Sequence, residues 1–137
     1  MSTTIGDLSG RTTVVVGASR GLGRGIARAF ADAGAAVVAV ARTAQALAEL
    51  AATSANIRTE VADAADTTAA WSLVDHYEPE VLILVAGANP VMRPLQHQTW
   101  ETFSVNWHTD VKIAFTWLRE ALLKPLPPGS RVVVMSS

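Results

Sequence analysis

Three glycines in one short segment have the type and spacing that phosphate binding requires. Gly17, Gly21 and Gly23 lie in residues 16–23 (VGASRGLG), between a run of β-branched residues and an alanine-rich stretch. Glycine lets the backbone turn sharply and approach a pyrophosphate, and the start of the following helix offers free N–H groups and a positive dipole end. Because the cluster stands between a predicted strand and a predicted helix, it favours a phosphate-binding turn over a tight turn without a ligand.

A phosphate-binding glycine turn lies between a strand and a helix, and predicted strands and helices alternate along the whole chain. The predicted strands are residues 12–16, 36–40, 57–61, 81–85 and 131–135, and the predicted helices are residues 22–33, 43–52, 67–76 and 99–123. Alternating strands and helices are typical of βαβ units around a parallel sheet, and continuous apolar strands predict helices on both faces. We therefore expect one α/β domain over residues 1–137.

The last predicted helix is the longest and has an apolar face. Thr99 is its predicted N-cap, and the proline-rich residues 124–130 end it. Apolar side chains spaced by three or four residues line one face of a helix. The side chains with that spacing are Phe103, Trp107, Val111, Ala114, Leu118 and Leu122.

Composition and charge exclude several classes of function. The 137 residues include 11 basic and 12 acidic side chains and no cysteine, for a formal net charge of −1. This balance gives no electrostatic attraction to nucleic acid or to a membrane surface, and there is no disulfide or thiolate metal site. His76, His97 and His108 are too widely spaced to form a metal site. Since residues 1–10 lack the apolar run of a secretory signal, we expect a cytoplasmic protein with a small-molecule or protein partner.

The spacing Gly-x-x-x-Gly-x-Gly, with the order of strands and helices, resembles the short-chain dehydrogenase/reductase family over the whole chain. The resemblance implies a Rossmann-type doubly wound parallel sheet that binds a nicotinamide dinucleotide beyond the carboxyl ends of its strands, with five strands present here. It also implies that the turn after the first strand holds the cofactor through Gly17, Ser19, Arg20, Gly21, Leu22 and Gly23.

The residue after the second predicted strand indicates which nicotinamide cofactor is bound. An acidic residue there would bind the ribose hydroxyls of NAD and repel a 2′-phosphate, but this chain has Arg42. Arg20 is a second cation near the same phosphate, and a guanidinium matches phosphate through its forked donors. Either arginine alone would also suit a solvated surface. Together they predict NADP rather than NAD, by about a hundredfold or more if each contributes roughly 1.5–3 kcal/mol.

Three further positions match cofactor-binding residues of the family. Asp63 follows the third predicted strand, where the family holds the adenine ring, and a carboxylate accepts a hydrogen bond from the adenine amine. The alternative is a turn or N-cap aspartate, a role that Asp66 suits equally well. Ala86 and Gly87 follow the fourth strand, where the family commonly has Asn-Asn-Ala-Gly, and their small size lets the cofactor approach the backbone. The two asparagines are missing, and Asn89 is expected to replace them in part.

Asn106 and Ser137 align with two catalytic residues of the family. The family's helix asparagine holds, through its main-chain carbonyl, a water that links the catalytic lysine to solvent; by itself, Asn106 would be a helix-packing residue. Ser137, preferred over Ser136 from the family spacing, would hydrogen-bond the substrate oxygen during hydride transfer. The family's general acid/base is the tyrosine of a Tyr-x-x-x-Lys motif on the next helix, which residues 1–137 do not contain, and Tyr77 precedes the fourth strand.

The sequence therefore predicts the cofactor-binding part of an NADP-dependent oxidoreductase that transfers a hydride between the nicotinamide and a carbonyl or alcohol substrate. Later strands and helices are expected to be missing, and residues 1–137 alone are expected to be inactive. By resemblance, the full-length form is expected to be a homo-oligomer, because the longest helix packs against its counterpart in many members. The alternative is a non-catalytic dinucleotide-binding or interaction module that ends at Ser137.

Overall fold

The computed structural model describes residues 6–136, and at its centre is a sheet of five parallel strands. The strands are β1 (Thr12–Val16), β2 (Ala36–Ala41), β3 (Ile57–Val61), β4 (Val81–Leu84) and β5 (Arg131–Val134). Their order across the sheet is β3-β2-β1-β4-β5, so the direction of winding reverses between β1 and β4. The predicted parallel sheet is confirmed, with strand ends that differ by at most one residue.

Helices cover both faces of the central strands. Within residues 6–136 they are α1 (Gly21–Asp32), α2 (Ala44–Ala51), α3 (Thr67–Tyr77), α4 (Trp100–Phe103) and α5 (Lys112–Leu123). Val15 of β1 packs with α1 and α2, whereas Val14 and Val16 pack with α3 and α5. Because both faces of these strands are buried, β2 and β4 are apolar throughout and β1 is apolar from Val14 onward. The predicted doubly wound α/β fold is confirmed.

β5 departs from the prediction that helices cover both faces of every strand. Val132, Val133 and Val134 are 39–44% exposed. β5 is at the edge of the sheet, and among the described residues it pairs only with β4. An apolar edge strand is normally covered in folded proteins, because its free N–H and C=O groups would pair with other chains. The described residues therefore leave this edge of the sheet without a covering layer.

The prediction of one helix over residues 99–123 is wrong. α4 ends at Phe103, and a π-helical turn (Trp107–Val111) precedes α5. The predicted N-cap is confirmed, since the Thr99 hydroxyl accepts from the Thr102 N–H and the Thr102 hydroxyl accepts from the Thr99 N–H. A π-helical turn changes the angular position of every later residue relative to a continuous α-helix. Side chains that a regular helix would place on one face therefore separate.

The buried face of this region is accordingly not the predicted one. Phe103, Trp107 and Leu122 are 61%, 64% and 82% exposed. Trp117 is fully buried, and its Nε1–H donates to the carbonyl oxygen of Ala64 at 2.9 Å, which fixes α5 to the loop after β3. The residues that α5 buries are Ile113, Thr116, Trp117, Glu120 and Ala121.

Candidate functional site

The carboxyl ends of the strands meet along one edge of the sheet. Backbone hydrogen bonds extend the strand pairing into the loops there: Gly17 N–H to Val40 O, Ala62 N–H to Ala41 O, Ala86 N–H to Val16 O and Met135 N–H to Leu84 O. These bonds place the glycine turn after β1 between the end of β2, which Arg42 follows, and the end of β4. In a doubly wound sheet, ligands bind at this edge where the strand order reverses.

The glycine turn is too crowded for side chains at two of its positions. A Cβ on Gly17 would lie 2.4 Å from the backbone N of Ala86, and Gly17 has a φ of +97°. A Cβ on Gly23 would lie 1.9 Å from the carbonyl oxygen of Gly17. Gly21 has open space around it but a φ of +56°. Glycine is therefore required at Gly17 and Gly23 by close approach of backbone, and is favoured at Gly21 by conformation.

The first turn of α1 points free N–H groups at this edge. Arg20 is the N-cap in an extended conformation, its side chain makes no capping hydrogen bond, and no acidic residue is present in the first turn. The N-terminus of a helix without such a cap leaves N–H donors and a positive dipole end for an anion. Arg20 and Arg42 are both exposed, and neither forms an ion pair within residues 6–136. Ser19 and Leu22 lie in the same turn, and Leu22 is 57% exposed.

Asp63 and Asp66 have different local roles. Asp66 is the N-cap of α3, where its Oδ1 accepts hydrogen bonds from the N–H groups of Thr68 and Ala69. Asp63 is exposed, and its Oδ1 accepts from the Ala65 N–H at 2.9 Å in a turn. The capping role thus belongs to Asp66. An adenine-binding role for Asp63 stays a prediction.

A cavity of about 580 Å³ lies beside the glycine turn, between the ends of β4 and β5 and the π-helical turn. Ala86, Gly87 and Leu22, which are predicted to bind the cofactor, line it together with Asn106, which is predicted to be catalytic, and Ser136. Ser137, the predicted catalytic serine, lies outside the described residues. Most of the wall is apolar, which suits an uncharged ring or a small substrate.

Asp110 is a residue of this site that sequence analysis did not identify. Its Oδ1 accepts from the Ala88 N–H at 2.7 Å, and its Oδ2 accepts from the Asn106 side-chain amide at 3.0 Å. The same amide of Asn106 also donates to the Ala88 carbonyl oxygen at 2.7 Å. The side chain of Asn89, which is expected from the sequence to replace the missing asparagines in part, makes no hydrogen bond to another residue of the range 6–136, and Asp110 and Asn106 hold this loop instead. The i, i+4 spacing of Asn106 and Asp110 in a predicted helix indicates that their side chains can interact, and it is the sequence feature that points to Asp110.

Tyr77 lies away from the cavity, at the end of α3 that precedes β4. Its hydroxyl donates to Glu60 Oε1 at 2.5 Å. Burial and the Glu60 carboxylate raise the pKa of Tyr77 above its ordinary value of 10.0, against the opposing effect of Arg58. A tyrosine that takes up and releases a proton in catalysis needs a lowered pKa. Tyr77 is therefore in the wrong place and has the wrong pKa shift for that role.

No helix within residues 6–136 is both long enough and apolar enough to cross a membrane. In the same range, no three or more histidine, aspartate or glutamate side chains come together in a way that would hold a metal ion.

The chain is similar to a large group of known oxidoreductases. A family model described as short chain dehydrogenase matches residues 11–137. D-erythrulose reductase from Gallus gallus is 33% identical, and the match covers 95% of this chain and 55% of that protein. L-fucose dehydrogenase from Oryctolagus cuniculus is 34% identical over 82% of this chain and 44% of that protein. The chain thus spans about half the length of these relatives.

Solved structures have the same fold. A blue fluorescent protein from a metagenomic library, solved in complex with NADPH, superposes with a TM-score of 0.78 at 26% identity, covering 96% of this chain and 57% of that one. A short chain dehydrogenase from Salmonella enterica superposes with a TM-score of 0.84 at 23% identity, covering 100% of this chain and 62% of that one. The second likeness concerns the fold alone.

Gly23→Ala and Gly25→Ala test the crowding at the turn as a matched pair within α1. A Cβ on Gly23 would meet the Gly17 carbonyl, whereas a Cβ on Gly25 meets nothing within 4 Å. We expect Gly23→Ala to lower the free energy of unfolding by about 1–3 kcal/mol or more through overpacking. We expect Gly25→Ala to raise it by about 0.5–1 kcal/mol, because alanine is the better helix former. Urea unfolding followed by circular dichroism measures both, and equal effects would contradict the crowding.

Tyr77→Phe tests the raised pKa through the pH dependence of stability. Because the folded state raises the pKa of Tyr77, the stability gained from the neutral phenol is present below the unfolded pKa, near 10.0. That stability is lost as pH rises through the folded value. We expect the free-energy advantage of the wild type over Tyr77→Phe in urea unfolding to shrink between pH 8 and pH 11. An advantage that grows with pH would show that the pKa is lowered instead.

Proposed function

The chain belongs to the short-chain dehydrogenase/reductase family, and on that premise we propose that residues 1–137 form the NADP-binding part of an oxidoreductase. The observation that carries the proposal is the uncapped first turn of α1 beside two exposed arginines, Arg20 and Arg42. Free N–H donors and guanidinium groups at one edge suit a dinucleotide with a further phosphate.

The residues at this edge fit a dinucleotide along its length. Close backbone packing at Gly17 and Gly23 fixes the start of α1 at this edge, and the space beside Gly21 is open, so a pyrophosphate would bind there at the N–H groups of α1. Arg42 would bind the 2′-phosphate from the end of β2, and Arg20 would approach it from the turn. At the other end, residues 86–88 border a cavity with a mostly apolar wall that suits a nicotinamide ring. When bound, that ring would supply the acceptor or donor of a hydride.

The preference for NADP over NAD rests on charge. No acidic residue follows β2, where one would repel a 2′-phosphate, and Arg42 occupies that position. The blue fluorescent protein similar to this chain was solved with NADPH, which supports the same cofactor here. Asp63 is exposed and its Oδ2 accepts no hydrogen bond within residues 6–136, so that oxygen is free to accept from the adenine amine.

The proposed reaction is hydride transfer between NADP(H) and a small carbonyl or alcohol substrate, in the cytoplasm. Ser137 would hydrogen-bond the substrate oxygen, and the main-chain carbonyl of Asn106 would hold a water in a proton path. Tyr77 is unsuited to general acid/base catalysis, and we propose that this group comes from residues beyond Ser137 in a longer protein. The coverage of about half of each relative and the uncovered valines of β5 support that proposal.

We propose further that the longer protein is a homo-oligomer. Phe103, Trp107 and Phe115 are 61–66% exposed and lie in α4, the π-helical turn and α5, which are consecutive in the chain. Large apolar side chains exposed together are typical of a surface that a partner covers. A second copy of the same surface is the simplest partner with closed symmetry.

Arg42→Asp tests the cofactor assignment, with Arg28→Asp in the exposed face of α1 as a matched charge control. A hydrogen bond to a charged group contributes roughly 1.5–3 kcal/mol, so we expect Arg42→Asp to weaken NADPH binding by about tenfold or more. Affinity for NADH is expected to stay the same or rise, and Arg28→Asp should leave the ratio unchanged. Titration calorimetry with each nucleotide gives the ratio. The NADP assignment fails if Arg42→Asp leaves that ratio at its wild-type value.

A further inference from the structure

We propose that Asp110 is a positioning residue that fixes the turn at residues 87 and 88, and with it the wall of the cavity at the nicotinamide end of the site. The inference concerns the residue itself and rests on the proposed function only for what the cavity binds. The two asparagines that commonly brace the end of β4 in the family are missing here, and the Asp110 carboxylate holds the loop after β4 instead.

Two donors converge on the Asp110 carboxylate, one from the loop after β4 and one from Asn106, four residues earlier in the chain. Oδ1 accepts from the Ala88 N–H at 2.7 Å, and Oδ2 accepts from the Asn106 amide at 3.0 Å. Because that amide also donates to the Ala88 carbonyl at 2.7 Å, both backbone polar groups of Ala88 are bound. A carboxylate that accepts N–H donors forms shorter and stronger hydrogen bonds than a neutral acceptor does. Asp110 and Asn106 thereby hold one residue of the loop from both sides.

The Asp110 carboxylate lies so close to Gly87 that a side chain at position 87 would not fit without displacing it. A Cβ added to Gly87 would lie 2.9 Å from Asp110 Oδ1 and 3.1 Å from its Cγ. The carboxylate therefore stands directly over the backbone of Gly87 and reaches Ala88 only because Gly87 has no side chain. Two constraints thus favour glycine at position 87: the proposed approach of a ligand and the contact with the Asp110 carboxylate.

The chemistry of the network requires a carboxylate at this position. Both neighbours of the Asp110 oxygens are donors, an N–H and an NH₂ group, so both oxygens must accept. An asparagine has one accepting oxygen and would turn its own NH₂ group toward one of the two donors. Within residues 6–136, Asp110 has no ion-pair partner, so its charge is balanced by these donors. Asp110→Asn is therefore a nearly isosteric change that breaks the network on one side.

The π-helical turn explains how Asp110 reaches the loop. Asp110 lies within the turn Trp107–Val111, and Asn106 is its N-cap residue. A π-helical turn is a rare local widening that is often found at functional sites. Here it coincides with the segment whose side chains hold Ala88. The departure from a regular α-helix and the hydrogen bonds that hold Ala88 thus occur in the same segment.

The two ends of the proposed site depend on Asp110 to different extents. Backbone bonds to Val40 of β2 hold the glycine turn, and Arg42 directly follows β2, so both lie outside the network, whereas Ala86, Gly87 and Ala88 line the cavity together with Asp110. Loss of Asp110 should therefore affect a ligand that fills the cavity more than one that occupies only the phosphate end. A general loss of stability would affect both ligands alike.

The test compares two ligands on the wild type, Asp110→Asn and Asp110→Ala. NADPH spans both ends of the site, whereas adenosine 2′,5′-bisphosphate carries only the adenosine and phosphate end. We expect both variants to weaken NADPH binding by about tenfold, the loss of one charge-assisted hydrogen bond. Binding of the bisphosphate should stay within about twofold, as for independent sites. Glu101→Gln, which removes an exposed carboxylate from α4 outside the network, should leave both affinities unchanged.

Hydrogen exchange of the Ala88 amide, measured by NMR in the chain without ligand, tests the positioning independently of any cofactor. We expect Asp110→Asn and Asp110→Ala to speed exchange at Ala88 while amides in the centre of β1 keep their protection. Exchange at Ala88 that stays at the wild-type rate would overturn the inference. Equal weakening of both ligands would also overturn it. If the wild type binds neither ligand, the proposed function fails, and the Ala88 exchange rates still decide whether Asp110 fixes the turn.

Gly87→Ala gives a second route to the same disturbance. Its methyl group should push the carboxylate from Ala88 and so reproduce the faster amide exchange of Asp110→Ala. In the double variant the two effects should be less than additive, because the group that the methyl displaces is already gone. Full additivity would contradict the contact between Gly87 and Asp110.

Discussion

The rest of the structure depends on three backbone segments that meet with no room for a Cβ between them. At the reversal of strand order, Gly17 packs on the backbone of Ala86, and Gly23 packs on the carbonyl of Gly17. This contact sets the start of α1 directly over the ends of β1 and β4, and it is possible only because the glycines lack side chains. The free N–H groups of α1 consequently face the edge of the sheet where Arg42 and the cavity also lie.

The two ends of this edge are built by different means. At the phosphate end, backbone bonds from Gly17 and Ala18 to Val40 hold the turn, so the geometry follows from the sheet itself. At the cavity end, the loop after β4 leaves the sheet, and the side chains of Asn106 and Asp110 hold it through Ala88. Variation in side chains should therefore alter the cavity end more readily than the phosphate end.

The sequence predicts the strands of the sheet, the glycine turn and the N-cap at Thr99 well. Each of these features depends on a short local pattern: a run of apolar residues, glycines at a sharp turn, or a hydroxyl side chain just before a helix. It does not predict the π-helical turn before α5, since the apolar spacing from Phe103 to Leu122 suits a regular α-helix. The side chains of Asn106 and Asp110 in this region hold Ala88, and such a contact between distant segments leaves no periodic signal. The sequence does not predict the exposure of the aromatic side chains in this region either, because a pattern of apolar residues does not distinguish a core face from an exposed one.

We propose that one edge of this sheet binds NADPH along its length. Titration of the ¹⁵N-labelled chain with NADPH, followed by amide chemical shifts, tests this binding most directly. We expect the shifts to move at residues 19–23, at Arg42 and at residues 86–88, and to stay constant at the non-proline residues of the range 124–130, which follows α5. Shifts confined to the range 124–130, or no shifts at millimolar NADPH, would contradict NADPH binding at this edge.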